Sequence, residues 1–278
     1  GGLYFTEGVH GIIDAIRANV DRLQGFKKDI ALFALGKTCI TGKGGFGHFG
    51  TTKSHGDRQD SPEQFRERFA RNCRTIGSLV FKNEKPCRAL NEDILEVLPK
   101  AKADLAYFDP PYATHFSQTN YEKAYHFIEG LMTYWEGKEI IAENKTKSYR
   151  TDHKGVTRTN AAQFFTDFLS VATHIPHWII SYRDQAYPSE AEMQRIIAGT
   201  GKKSRMKSRD HHYQIGAKHG EASHAKEHLF LCTPADDTTA EAASNAQLSL
   251  FAEQTVAIWE ETESEIRYRV RDPDDFQG

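Results

Sequence analysis

The feature that most limits what this chain can fold into is an apolar run, residues 105–108, followed directly by Asp109-Pro110-Pro111-Tyr112. A short apolar run that ends in turn residues predicts a buried strand of an α/β sheet. Two consecutive prolines exclude a helix and keep the chain extended, because each fixes its own φ and restricts the residue before it. The Asp-Pro-Pro-Tyr motif therefore forms a rigid shelf at the carboxyl end of a strand, where open α/β sheets bind ligands.

This shelf presents an acidic side chain, a carbonyl group and an aromatic ring. The carbonyl of Pro110 has no neighbouring N–H, because Pro111 lacks one. A carboxylate and a carbonyl both accept hydrogen bonds, and the ring of Tyr112 offers a flat face. The set suits a flat base that carries an exocyclic amine. The alternative is an ordinary turn that ends a strand and has no chemical role.

The Asp-Pro-Pro-Tyr motif after an apolar strand resembles the catalytic motif of the S-adenosylmethionine-dependent amino-methyltransferases, in particular the DNA adenine-N6 methyltransferases. Only this motif is specific by itself. Other stretches are similar to segments of the same family, so that the resemblance covers residues 3–232 in pieces: Tyr4-Phe5-Thr6, and residues 13–17, 90–95, 120–121, 125–129 and 178–182.

The resemblance implies a role for each motif residue. Asp109 and the carbonyl of Pro110 would hold the adenine amine, Pro111 would keep the shelf rigid, and Tyr112 would stack on a base flipped out of the duplex. It also implies that Asp93 binds the adenosyl amine of S-adenosylmethionine, with Ile94 beside it and Asp109 close to the cofactor. For Asp93 the alternative is an N-cap of the helix that follows.

The glycine-rich turn by which this family binds its cofactor is not found in the sequence. A glycine cluster at residues 42–47 does not follow a convincing strand. We therefore expect the chain to be a fragment, or one half of a split enzyme that needs a missing N-terminal segment or subunit. No metal site is expected, because the His224–His228 pattern, although it fits a zinc-protease motif, continues into an apolar strand and not a helix.

The charge of the chain is unevenly distributed. The formal net charge is −2, but residues 233–278 contain eleven acidic residues and three arginines, which leaves 33 basic and 27 acidic residues in the first 232. A moderately basic body suits a polyanion such as DNA. The densest basic run is expected on a loop beside the sheet, where it is either a solvated surface or a DNA-binding element: Lys202, Lys203, Arg205, Lys207 and Arg209, with Tyr213 as a possible contact to a flipped base.

Periodicity predicts an α/β fold with a doubly wound, mostly parallel sheet, and the resemblance implies that this sheet is methyltransferase-like. Strands are expected at 79–81, 87–90, 104–108, 138–142, 177–182 and 227–232, and helices at 8–24, 61–73, 92–98, 121–135, 160–172 and 189–198. We expect three regions: a helical and glycine-rich insertion with a long loop at 36–60 (residues 1–76), the catalytic core (77–232) and a flexible acidic tail (233–278). Four cysteines without a CxxC pair, and no signal peptide, indicate a cytoplasmic protein.

One apolar stretch interrupts the acidic tail. Residues 247–251 resemble the pentapeptide by which bacterial replication proteins bind the sliding clamp, and an extended peptide with spaced apolar anchors can fill a groove on a partner. The anchors would be Gln247, Leu248, Leu250 and Phe251. The alternative is a short segment that packs back on the domain.

Together these features predict a site-specific DNA adenine-N6 methyltransferase whose activity as an isolated chain is open. Two alternatives remain. The Asp-Pro-Pro-Tyr motif also occurs in RNA guanine-N2 methyltransferases. A non-catalytic remnant that binds DNA or the clamp would also keep this fold while lacking the cofactor turn.

Overall fold

The computed structural model describes residues 3–43, 48–50, 52, 60–81, 87–111, 113–114, 121–151, 155–213 and 223–235. Its helices are α1 (Glu7–Val20), α2 (Phe26–Gly42), α3 (Pro62–Ser78), α4 (Ile94–Val97), α5 (Tyr121–Thr133), α6 (Ala161–Ser170) and α7 (Glu190–Gly199). Its strands are β1 (Leu105–Phe108), β2 (Ala113–Thr114), β3 (His177–Arg183), β4 (Ala186–Tyr187), β5 (Lys202–Tyr213) and β6 (Ser223–Pro234). Among the described residues, no helix combines the length and the apolar character needed to span a membrane.

The chain divides into two units that alternate along the sequence. Unit 1 comprises residues 1–92, 111–161 and 212–224, and unit 2 comprises residues 93–110, 162–211 and 225–278. The boundary at residues 110 and 111 passes through the Asp-Pro-Pro-Tyr motif, so that Asp109 and Pro110 belong to unit 2 and Pro111 to unit 1.

The described part of unit 1 is built from helices α1, α2, α3 and α5. An apolar stripe on α1 predicts its buried face, and the structure buries Val9, Ile12 and Ile13 there. Helix α3 begins at a capping box, in which the Ser61 hydroxyl accepts from the Gln64 amide and the Gln64 side chain accepts from the Ser61 amide.

Aromatic residues form the centre of unit 1. The Phe49 and Phe127 rings stack with centroids 4.7 Å apart, and Phe5 lies 5.6 Å from Phe127. The buried Tyr4 hydroxyl donates to the carbonyl of Thr146 (2.7 Å), and burial raises its pKa to about 12. This core holds one face of α5 in place, which leaves the opposite face available for other contacts.

Unit 2 contains a four-stranded sheet in the order β1-β3-β6-β5. Strands β1 and β3 are parallel, with Phe108 opposite Ile180. Strands β3 and β6 are antiparallel, with Ser181 opposite Leu229 and Arg183 opposite Glu227. The described sheet is therefore mixed, and not mostly parallel as the alternation of elements suggested.

Helix α6 contributes aromatic side chains that pack on the strands of unit 2. The Phe168 ring contacts Phe108 of β1 at 4.8 Å between centroids, and Phe165 contacts Tyr182 of β3 at 5.3 Å. Trp178 is fully buried beside Phe108. These contacts fix the two strands whose carboxyl ends form the candidate site.

Most predicted helices are confirmed, whereas several predicted strands and loops are wrong. Residues 79–81 follow the end of α3 and form no strand, and neither do residues 87–90. Residues 138–142 contribute one bridge, Ile140 to Tyr149. Apolar residues alone suggested these strands, but no neighbouring strand pairs with them among the described residues. Residues 36–42, expected in a loop, are the end of α2, and residues 202–213, also expected in a loop, form strand β5.

Candidate active site

The candidate site of unit 2 lies at the carboxyl ends of the parallel strands β1 and β3. Asp109 directly follows Phe108, which is in register with Ile180, so Asp109 comes level with Ser181. The Asp109 side chain is exposed, whereas Pro110 is buried. Asp109 is thus an exposed carboxylate at the carboxyl end of β1, followed by a buried proline.

A second carboxylate, which the sequence analysis did not assign to the site, lies beside Asp109. Glu227 of β6 is 9% exposed, and its Oε1 accepts a hydrogen bond from the Ser181 hydroxyl at 3.1 Å. Partial burial, followed by the negative charge of Glu227, raises the pKa of Asp109 above its ordinary value. Glu227 precedes an apolar run in sequence, but only the pairing of β3 with β6 brings it to this edge.

Tyr107 of β1 belongs to the same cluster. Partial burial raises its pKa, a hydrogen bond with Ser181 opposes this shift, and the charges of Asp109 and Glu227 add to it. The cluster Tyr107, Asp109, Ser181 and Glu227 is therefore acidic and rich in hydrogen-bond acceptors. Such a cluster favours a ligand that brings donors, for example an exocyclic amine.

The remaining motif residues are only partly described. Pro111 is half-buried and lines a cavity of unit 1, whereas Tyr112 lies outside the described residues. The glycine cluster at 42–47 begins at Gly42, the last residue of helix α2, and residues 44–47 lie outside the described residues.

Asp93 is the N-cap of α4. Its Oδ1 accepts a hydrogen bond from the Leu95 amide at 2.8 Å. Because the Asp93 side chain is exposed, its second carboxylate oxygen can be reached by a ligand. Ile94 is 40% exposed. The N-cap role that the sequence left as an alternative is therefore present, and it does not prevent the carboxylate from accepting a further hydrogen bond.

The basic run of residues 202–209 lies on strand β5. Lys202 is buried, and its ammonium donates to the carbonyls of Ile175 and Pro176, each at 2.9 Å, while it lies 4.5 Å from the Trp178 ring centroid. The expectation that Lys202 contacts DNA is therefore corrected, because its charge is used inside unit 2.

The other basic residues of this run alternate along β5, and alternate residues of a strand share one face. They are Lys203, Arg205, Lys207 and Arg209. Three of them are exposed and Lys207 is half-buried. Tyr213 ends the strand, and its side chain lies outside the described residues, as does the whole tail from residue 236, including residues 247–251.

The described part of unit 1 contains a cavity of about 530 Å³ whose lining residues, apart from Pro111, were not assigned to a site from the sequence. It is lined by one face of α5 together with Pro111, Ile40, Gly155 and Val156, and the α5 residues are Tyr121, Glu122, Tyr125, Ile128 and Glu129. Counted from Tyr121, the other four α5 residues follow at 1, 4, 7 and 8 positions, which is the spacing of residues on one helical face. This periodicity was readable in the sequence, but it also fits a helix face packed in the core.

Comparison with known proteins settles the family. The sequence profile of the D12 class N6 adenine-specific DNA methyltransferases matches residues 7–180, which is more than half of the chain. The chain belongs to this family. The D12 class match includes β1, the Asp-Pro-Pro-Tyr motif, α5 and the first part of β3, so that both the shelf and the cavity fall inside it.

Two curated relatives agree with this D12 class assignment. The type II methyltransferase M2.HphI of Haemophilus parahaemolyticus is 26% identical over 234 residues, which are 79% of this chain and 66% of that protein. The modification methylase StsI of Streptococcus sanguinis is 30% identical over 122 residues, which are 42% of this chain and 17% of that protein. The chain thus spans less than two thirds of either relative. No solved structure matches it.

Proposed function

We propose that this chain carries the catalytic motif of an enzyme that transfers a methyl group from S-adenosylmethionine to the N6 amine of adenine in DNA. The observation that supports this most directly is the position of Asp109, an exposed carboxylate at the carboxyl end of β1 beside buried Pro110, within a D12 class chain. The doubly wound arrangement expected for the whole core is part of the same proposal.

Asp109 and the Pro110 carbonyl would activate the amine. The lone pair of the adenine N6 nitrogen is delocalised into the ring, which makes it a weak nucleophile. Two acceptors that bind both N–H hydrogens favour a pyramidal nitrogen with an available lone pair. Hydrogen bonds to a charged acceptor contribute about 1.5–3 kcal/mol each, and more where the geometry fits the transition state.

Asp109 is also suited to handle the proton. When N6 gains a methyl group it becomes positively charged and must lose one proton. A carboxylate hydrogen-bonded to that N–H can take it, and the raised pKa of Asp109, caused by partial burial and by Glu227, makes it a stronger base than an ordinary aspartate. Glu227 would act only through Asp109, as a positioning residue.

The described residues fit the adenosine part of the cofactor. Asp93 offers a free carboxylate oxygen to an exocyclic amine, and Ile94 offers an exposed apolar surface beside it. Asp109 would lie close to the transferred methyl group. When bound, S-adenosylmethionine supplies an electrophilic methyl group, whose carbon–sulfur bond breaks as the carbon–nitrogen bond forms.

DNA would be held by the basic face of β5. Lys203, Arg205, Lys207 and Arg209 lie at every second position, so that their side chains follow one another along the strand. Such a row suits the phosphates of one DNA strand. The target base must be flipped from the duplex to reach Asp109, and Tyr112 and Tyr213 are the aromatic residues proposed to stack on it, at about 1–3 kcal/mol per stacked base.

The test is transfer of a labelled methyl group from S-adenosylmethionine to adenine in unmodified duplex DNA. We expect Asp109→Ala to lower transfer by at least about two orders of magnitude, because one acceptor of a positioned amine is removed. Asp104→Ala is the matched control, because Asp104 is an exposed acid directly before the other end of β1. Retained transfer in Asp109→Ala, with the control unchanged, would contradict the mechanism.

The same assay separates the alternatives. Methyl acceptance by RNA guanine and not by DNA would favour the RNA guanine-N2 reading, which the family match does not support. A chain that binds DNA but neither binds S-adenosylmethionine nor transfers methyl would favour the non-catalytic remnant.

Docking of residues 247–251 on a bacterial sliding clamp is a separate proposal. It is tested by measuring whether the purified clamp binds the chain, and whether Leu250→Ala weakens that binding. A role in restriction-modification rests on the named relatives alone.

A further inference from the structure

The cavity along α5 has the size and the walls of a ligand site. At about 530 Å³ it falls within the range of small-molecule and cofactor sites. Its apolar walls are Pro111, Ile40, Ile128 and Val156, and its aromatic wall consists of Tyr121 and Tyr125. The whole cavity lies within unit 1.

The residues that follow Tyr125 pack in the core of unit 1. His126 is 3% exposed and bonded to the Thr146 carbonyl at 3.0 Å, and Phe127 stacks on Phe49. The backbone at Tyr125 leaves helical geometry (φ −116°, ψ 18°), which interrupts the helix at this cavity residue. Tyr125 is therefore held directly beside two residues that are packed in the core.

The two tyrosine rings are nearly parallel. Their centroids are 6.3 Å apart with an interplanar angle of 13°. Aromatic groups pair in offset stacks over centroid distances of about 4.5–7 Å, so a planar heterocycle placed against either ring extends the same stack. Tyr121 is 50% exposed.

The charged groups of the cavity are the carboxylates of Glu122 and Glu129, which accept hydrogen bonds. The Glu122 carboxylate accepts from the Thr151 hydroxyl, and the Glu129 carboxylate has no hydrogen bond or ion pair within the described parts of the chain. Burial, and then the charges of Glu122 and Glu129, raise the pKa of nearby Tyr149 to about 12. A phosphate would be repelled here, whereas an exocyclic amine would find the acceptor it needs.

We propose that the cavity formed by Pro111, Tyr121, Tyr125 and Glu129 is a second base site, which binds an unstacked cytosine or adenine of the DNA substrate. Stacking on the tyrosines supplies binding energy, and Glu129 accepts from the exocyclic amine. Thymine, which has no such amine, is disfavoured, so the cavity contributes to sequence selection. This inference rests on the proposed function, since it takes DNA as the substrate.

The isoleucines of the cavity provide a direct measurement. Ile40 and Ile128 line the cavity, whereas Ile179 lies in the sheet of unit 2 and reports that each variant is folded. The full chain, with labelled isoleucine methyl groups, is titrated by NMR with single-stranded oligomers of dC, dA or dT of about eight nucleotides, within the range of single-strand site sizes. Phosphate contacts are common to all three oligomers, so differences between them report the bases.

We expect the Ile40 and Ile128 signals to shift with dC and dA, with an affinity about tenfold above that for dT. Tyr125→Leu should weaken dC and dA binding about tenfold or more, because one stacking face is lost. Glu129→Gln should remove the preference over dT, and Glu136→Gln, an exposed acid outside the cavity, should not. Equal affinity for all three oligomers, or unshifted Ile40 and Ile128 signals, would overturn the proposal. No methyl transfer is measured, so a negative transfer assay and a negative titration remain separate results.

Discussion

Arg17 links α1 to α5, and its replacement tests whether that link holds the cavity helix in place. The Arg17 side chain is 7% exposed, and it donates from Nε to the Leu131 carbonyl (2.8 Å) and from Nη2 to the Met132 carbonyl (3.2 Å). Both carbonyls are in the last turn of α5, where helical carbonyls lack partners within the helix. A third bond, to Asp21 at 2.8 Å, joins it to a more exposed partner.

Arg17→Met keeps most of the apolar stem and removes all three bonds. The two bonds to carbonyls contribute about 1.5–3 kcal/mol each, and the pair with Asp21 about 0–1 kcal/mol. Since water can reach part of the end of α5, we expect the free energy of unfolding of unit 1 to fall by about 3–5 kcal/mol. Because 1.4 kcal/mol corresponds to a factor of ten, amide hydrogen exchange across α5 should accelerate about 100-fold or more.

Hydrogen exchange followed by mass spectrometry on a peptide that covers α5 measures this effect. Arg22→Met is the matched control, because Arg22 is exposed near the same helix end and its side chain makes no described hydrogen bond or ion pair; we expect a change within about 0.5 kcal/mol. Equal protection of α5 in the two variants would show that the guanidinium does not stabilise the end of this helix.

Two further predictions concern the site and the core. Glu227→Gln should lower the pKa of the Asp109 carboxyl, because it removes a negative charge that disfavours ionisation, and the acidic limb of any activity should move to lower pH. A carbon-detected NMR titration of Asp109 measures this pKa, and an unchanged or higher value would contradict the assigned cause. Gly130→Ala should destabilise the protein by about 1–3 kcal/mol, because a Cβ there would lie 2.2 Å from Nε1 of Trp135. Gly11→Ala should stabilise it by about 0.5–1 kcal/mol, because a Cβ at Gly11 has no other atom within 4 Å. Thermal unfolding measures both changes, and shifts of the same sign in the two variants would refute the contact argument.

Predictions from local signals largely agree with the structure. The capping residues Ser61 and Ser189 begin helices where the sequence places them. The apolar run before Asp109 is a strand, but it is not buried as predicted, because only Phe108 is buried whereas Leu105 and Tyr107 are exposed. These features depend on the residues themselves and on neighbours within a few positions, so a pattern of four to seventeen residues contains the needed information. The apolar segment at 79–81 shows the limit, since a strand also requires a neighbour that pairs with it.

Contacts between distant segments could not be predicted from local patterns in the sequence. Lys202 belongs to a run whose composition suggests a solvated loop, yet its ammonium is enclosed by the carbonyls of residues 175 and 176 and by Trp178. Glu227 is separated from Asp109 by more than a hundred residues, and only the order β1-β3-β6 brings their charges together. Burial and pairing of this kind depend on which strands become neighbours, which no local pattern specifies.

The sequence by itself thus determined the chemistry available to this protein: an acid and a carbonyl on a rigid proline shelf after a strand, in an order along the chain that resembles the D12 class. Only the tertiary structure decided the surroundings of that shelf. It placed Glu227 beside Asp109, withdrew Lys202 from the DNA-binding candidates and formed a cavity from Pro111 and one face of α5. The physical reason is that residue types fix which bonds a side chain can make, whereas burial and neighbouring charges, which set their strength, arise only when the chain is folded.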